Sequence, residues 1–445
     1  MEDIKAMIKG SLIRRIYGRQ VFSGRGQPSV EAIVETENGS VAACQCTCGM
    51  SIGTHEVAFS YDEDSKWRGK GVMRAVDNIN NIIAPALIGM DSANQIEVDN
   101  VMLNILGKDS KLKLGGNATG AVSAAVLKAG SLSLGIPLYQ HIGGTRAVTL
   151  PCAAFGTITG SNRYCAGKAA ATKPTYSFIA YDFPSFSDAC YALHLVSADW
   201  ELEMQKRWGL HSRNPSANYT CAGFVCIPPG LIDSDEILWK LMTEIICRRG
   251  YENKIGIQVD MASDCFFDKE KKVYQGLFNA NPRNRDEQIA LCIDMTRKYP
   301  FVILEDPLNE EDYEGHAILV RETGVQIVGD DLFTTNYERV RQGISLNSAT
   351  TVLLKVNQIG TITESLEMIQ LAYEHGYGVM PCSSRGENID ICDYSVGINA
   401  TTIRESCQGA PANRFLYIEH ELGSRARFAG KEGIKGWKFQ KGRKV

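Results

Sequence analysis

The stretch TVLLKVNQIG, residues 351–360, decides how the chain is read. Five of its first six residues suit a protein core, and the remaining one is Lys355. Burying an ammonium without a partner costs several kcal/mol or forces its pKa down. A lysine at a strand end can instead snorkel to water. The neighbouring stretches decide between the two.

Four more apolar runs end in a similar way: GIQVDMA, FVILEDP, VQIVGDD and YGVMPCSS. Helical patterns such as DEQIALCIDMTRKY and TESLEMIQLAYEHG lie between them. Repeated strand–helix units with both-face-buried strands predict a parallel β/α barrel. The C-terminal strand ends of such a barrel converge on one face. Asp260, Glu305, Asp330 and Lys355 then meet there. Three carboxylates at one spot repel, and a hard divalent cation with oxygen ligands, such as Mg²⁺, resolves that. Lys355 beside it is placed to act as a base toward a carbon acid.

The first fifty residues read differently. EAIVET and SVAACQC flank the turn ENG, which predicts an antiparallel meander. Alternation puts Cys44, Cys46 and Cys48 on one strand face, as small buried hydrophobes rather than a thiolate metal site. GKGVMRAVDNINNIIAPAL and GNATGAVSAAVLKAGSLSLG then show helical spacing. The expected division is an α+β domain over 1–140 and a barrel over 141–445.

Composition sets outer limits. The chain has 445 residues, 44% hydrophobic and 22% charged, with a formal net charge of -4. That balance gives no nucleic-acid footprint. No apolar run approaches the ~20 residues that span a bilayer. The start lacks a signal-peptide core, so a cytoplasmic protein without a membrane partner is expected. The basic end, KGWKFQKGRKV, reads as a solvated tail.

The chain resembles enolase along nearly its whole length. The likeness is carried by SGRGQPSVE, GKGVMRAVDNINNIIAPAL, KLGGNATGAVSAAVLKAGSLSLGIPLYQHI, VDMASDCFF, LEDPLNEEDYEG, QIVGDDLFTTN, LLKVNQIGTITES, RGE and FLYIEHELG. It implies an α/β fold: a three-stranded meander with helices, then an eight-stranded β2α2(βα)6 barrel, in a homodimer. It also implies Mg²⁺-dependent interconversion of 2-phosphoglycerate and phosphoenolpyruvate. Asp260, Glu305 and Asp330 match the family's metal ligands, and Lys355 its base. In CGMSIGTHE, Ser51 matches the serine that holds a second magnesium, followed by His55 and Glu56. Arg25 and Gly26 fit an early Arg-Gly pair.

The departures from the family sort by role. Cys221 in YTCAGF replaces the general-acid glutamate. Cys165 stands where the loop histidine would be, and Thr175 and Tyr176 replace a Gln-Glu pair. In CSSR, Ser383, Ser384 and Arg385 replace histidine, arginine and serine. Arg404 replaces the lysine that grips the substrate carboxylate. The groups that hold metal and remove the α-proton are kept, and those serving the leaving group and phosphate are changed. The expected substrate is a small, phosphorylated carboxylate processed through an enediolate. A non-catalytic paralogue, acting as a binding or scaffold protein, is the alternative.

Overall fold

The computed structural model describes residues 10–24, 26–49, 52–160, 162–165, 173–211, 224–382, 386 and 388–440. Arg25, Ser51, Cys221, Ser383, Ser384 and Arg385 therefore lie outside the described residues.

The N-terminal meander forms as expected. Strands β1 (Ile13–Phe22), β2 (Pro28–Thr36) and β3 (Val41–Cys46) make an antiparallel sheet in that order. On β3 the side chains alternate between surface and core, so Cys44 and Cys46 are buried while Val41 is exposed. Helix α2 (Gly116–Leu134) packs on the sheet, and α1 (Gln95–Asn104) packs on α2. Helix α2 is rich in Ala, Gly and Ser and buried along most of its length. Small residues let the sheet come close: a Cβ at Gly120 would sit 3.3 Å from the Cys46 sulfur. The cysteines thus serve packing, and none of the described ones is in a disulfide.

Eight strands then close a barrel. They are β4 (Cys152–Thr159), β5 (Thr175–Ala180), β6 (Ile255–Asp260), β7 (Phe301–Glu305), β8 (Gln326–Gly329), β9 (Thr351–Leu354), β10 (Gly378–Pro381) and β11 (Thr402–Ser406). Strand β5 runs antiparallel to both β4 and β6. The pairs from β6 through β10 are parallel, as is β11 with β4. A parallel bridge between Cys382 and Arg404 joins the two remaining edges. This is the β2α2(βα)6 order. The strands are buried on both faces, which explains their unbroken Val, Ile and Leu runs. Several of the helices between them have side-chain caps, among them those at Asn284, Asp312, Asn336 and Thr361.

One buried carboxylate couples the two halves. Asp99 on α1 is fully buried and accepts from Gln95, Ser123 Oγ at 2.6 Å and Thr363 N and Oγ1 at 2.9 and 2.6 Å. Thr363 lies in the first turn of helix α3 (Ile362–Glu374), which follows β9, so Asp99 satisfies an N-terminal amide there. Burial still pushes the Asp99 carboxyl above its usual range. Asp99→Ala would strand these donors in the interior, at a cost on the order of 3 kcal/mol. Urea unfolding of the variant is expected to show that loss; a change below about 1 kcal/mol would contradict this role for Asp99.

Candidate active site

Parallel register places the predicted charges side by side. Glu305 pairs with Asp260 across β7 and β6, and Glu305 faces Val328 on β8, two residues before Asp330. Asp260, Glu305, Asp330 and Lys355 are all buried, at 2%, 0%, 3% and 2% exposure. Lys355 does not snorkel. Its ammonium donates to Asp330 Oδ2, and its backbone amide donates to Thr335 Oγ1 at 3.1 Å. Gln358 Nε2 donates to the other Asp330 oxygen at 2.8 Å.

Arg404 lies across the mouth. Its Nη1 donates to Glu305 Oε1 at 3.1 Å, while Nη2 pairs with Asp260 Oδ2 and donates to Thr175 Oγ1 at 3.3 Å. A second lysine, Lys173, also pairs with Asp260 Oδ2. Burial, then the Arg404 charge, pushes Lys173 down to about 8. Burial pushes the Glu305 carboxyl upward against the pull of Arg404.

The acidic set extends further. Asp306, Asp330 and Asp331 bring carboxylate oxygens within 4.8 Å of one another. Asp306 is committed to the backbone: it accepts from the amides of Asp330, Asp331 and Leu332 at 3.0, 2.8 and 3.4 Å. It thereby fixes the turn that presents Asp330. Burial and the Asp330 charge push Asp331 up to about 7.

The mouth fits a hard cation. Asp260 Oδ1 and Glu305 Oε2 are buried and accept no hydrogen bond among the described residues. Buried carboxylate oxygens without donors are costly unless a positive charge meets them. Both come from residues whose other oxygen is tied to a cationic side chain, so their orientation is fixed.

The segment after Ser51 rests on this mouth. A Cβ at Gly53 would lie 3.0 Å from Asp331 Oδ1. Thr54 N donates to Glu310 Oε2 at 3.2 Å, and His55 Nε2 meets Glu311 at 2.6 Å. Gln358 Nε2 spans Asp330 and Glu56, the latter at 3.4 Å, so the segment and the lumen share one bonding group.

Two further expectations meet the structure differently. Tyr176 does not reach the mouth: it is fully buried, its hydroxyl donates to Asp235 at 2.7 Å, and Trp239 Nε1 donates to it at 2.9 Å. The substrate-binding assignment of Tyr176 is therefore corrected. Strand alternation turns Tyr176 away from the lumen and directs its neighbour Thr175 inward to Arg404. Cys165 is exposed, with its amide held by the Asn162 carbonyl at 3.0 Å. Arg163 and Tyr164 anchor that stretch on the same Asp235, at 2.8 and 2.6 Å.

Sequence reasoning missed Lys173, Asp306, Asp331 and Gln358. A signal for Lys173 was present. Strand β5 is antiparallel, so its start lies where the parallel strands end, and Thr175 is paired with Asp260.

Comparison with known proteins agrees with this geometry. The model of the enolase C-terminal TIM barrel domain matches residues 215–436, and that of the enolase N-terminal domain matches 13–142. Enolase of Methanococcus aeolicus is 38% identical over 427 residues, covering 94% of this chain and 96% of its own. Enolase of Methanopyrus kandleri is 38% identical over 431 residues, covering 93% and 96%. Enolase of Thermococcus kodakarensis is 36% identical over 432 residues, covering 94% and 97%. With both domains matched and relatives 36–38% identical along nearly the whole chain, the chain belongs to the enolase family and is an enolase-like lyase.

Proposed function

We propose that this chain is a Mg²⁺-dependent enzyme that removes the proton α to a carboxylate. Its substrate is 2-phosphoglycerate or a related phospho- or phosphonocarboxylate. One observation carries the reading: Lys355 reaches Asp330 while Asp260 and Glu305 each keep a buried oxygen without a donor. Asp260, Glu305 and Asp330 would hold the metal, an all-oxygen set that suits Mg²⁺. Ser51 would add a ligand from the segment over the mouth. When bound, the metal supplies positive charge against the enediolate that develops on the substrate carboxylate.

The chain's own residues do the rest. Lys355 takes the α-proton, held in place by Asp330 and by the Thr335 hydroxyl on its backbone amide. Arg404 grips the substrate carboxylate, for which a planar guanidinium offers two parallel donors. By their match to the family pattern, Ser383, Ser384, Arg385 and Cys165 would serve the remainder of the substrate. The 52–56 segment limits water at the mouth. Cys221 takes the general-acid position, where a thiol with a pKa near 8.5 donates only weakly to a hydroxide leaving group. The domains divide at 140/141, and the enzyme works as a cytoplasmic homodimer.

The rival class is a non-catalytic paralogue. It is favoured by the pairing of Asp260 with both Arg404 and Lys173, since such internal ion pairs can hold a mouth together without metal. Two measurements separate the readings. Asp260→Ala, Glu305→Ala and Asp330→Ala are each expected to abolish tight Mg²⁺ binding in calorimetry. Unchanged affinity in all three would rule out the barrel-mouth metal site.

The second measurement follows both half-reactions on 2-phosphoglycerate with excess Mg²⁺. Deuterium wash-in at the α-carbon is expected to outrun formation of phosphoenolpyruvate by about 10²–10⁴, the contribution of a general acid. Dehydration that keeps pace with exchange would mean another residue serves as the acid. No exchange at all would favour the scaffold.

A further inference from the structure

Lys173 has no place in the proposed chemistry so far, yet it sits in the same lumen. It is buried, at 6% exposure, two residues before the start of the barrel's one antiparallel strand. Around the ring of eight strands, β5 lies four places from β9, so Lys173 and Lys355 stand on opposite sides. Its backbone is held close to that of Gly160, where any Cβ would overlap the Lys173 amide and carbonyl. The side chain reaches inward to Asp260.

The charge pattern is uneven. Asp260 Oδ2 serves two cations, Lys173 and Arg404, while Asp260 Oδ1 and Glu305 Oε2 serve none. A metal drawn to those oxygens takes over the negative charge of Asp260. Of the described carboxylates that feel the Lys173 charge, Glu305 and Asp330 belong to the same ligand set and Asp331 adjoins it. A buried ammonium then needs another anion, because an uncompensated buried charge is strongly unfavourable. Thr175 Oγ1 and Arg404 stand on the same side and can share that anion.

Resting on the reading above, we propose that Lys173 is a substrate-binding residue that receives an oxyanion of the substrate, a carboxylate or a phosphoryl group. With Arg404 it forms a cationic clamp across the lumen from Lys355. The clamp makes the metal-loaded mouth select for substrates carrying more than one negative charge.

The test titrates two simple anions, inorganic phosphate and D-glycerate, into the full-length protein in saturating Mg²⁺. The unsubstituted protein is expected to bind at least one of them. Lys173→Met is expected to lose about tenfold or more of that affinity, the range for a charge-assisted contact. Lys173→Arg, which keeps the charge, is expected to stay within about threefold. Loss for phosphate alone assigns the phosphoryl group, and loss for glycerate alone assigns the carboxylate. Mg²⁺ affinity without anion is expected to be unweakened in Lys173→Met, because the lysine competes for Asp260. Two results would overturn the proposal: Lys173→Met binding both anions as tightly as the unsubstituted protein, or the unsubstituted protein binding neither. Deuterium exchange in the unsubstituted protein reports separately on the proton-transfer reading, so either can fail alone.

Discussion

Everything at the barrel mouth depends on neutralising carboxylates that the fold forces together. Two like charges 4 Å apart repel by about 4 kcal/mol at an effective dielectric near 20. Buried carboxylates on neighbouring strands are costly unless positive charge meets them, against the 5–15 kcal/mol that typically holds a domain folded. Asp260, Glu305 and Asp330 are adjacent because parallel register leaves no choice. The chain answers with Lys355 on Asp330, and Arg404 and Lys173 on Asp260. That answer is incomplete. The buried oxygens left on Asp260 and Glu305 accept no hydrogen bond among the described residues, and on the proposed reading a metal ion meets them.

The same constraint explains which residues could be read in advance. An apolar run that ends in a charge is visible in sequence, and four such runs gave Asp260, Glu305, Asp330 and Lys355. The reading works only for strands whose C-terminal end reaches the mouth. Strand β5 enters the other way, so Lys173 precedes its strand and no apolar run ends in it. On that strand a one-residue step separates the lumen from the outer face, which is why Thr175 faces Arg404 and Tyr176 faces Asp235. Asp306 was hidden for another reason. Its partners are backbone amides, which no side-chain pattern reveals.

The outer halves of the molecule follow simpler rules. Alternation predicted three buried thiols: Cys44 and Cys46 are buried beneath the small residues of α2, while Cys48 lies beyond the strand end and is half-buried. The segment through His55 and Glu56 is tied to the barrel by Glu310, Glu311 and Gln358, so the N-terminal domain reaches the site through side chains of the barrel itself. The stretch around Arg163 is fastened behind the barrel on Asp235 instead.

The central claim is that Lys355 removes a proton from the carbon next to a carboxylate. The most direct measurement is exchange of the α-proton of 2-phosphoglycerate with deuterated water in Lys355→Met, with Mg²⁺ present and folding verified. Loss of exchange, with Mg²⁺ binding retained, is the expected result. Exchange at the rate of the unsubstituted protein would contradict the assignment of Lys355 as the base.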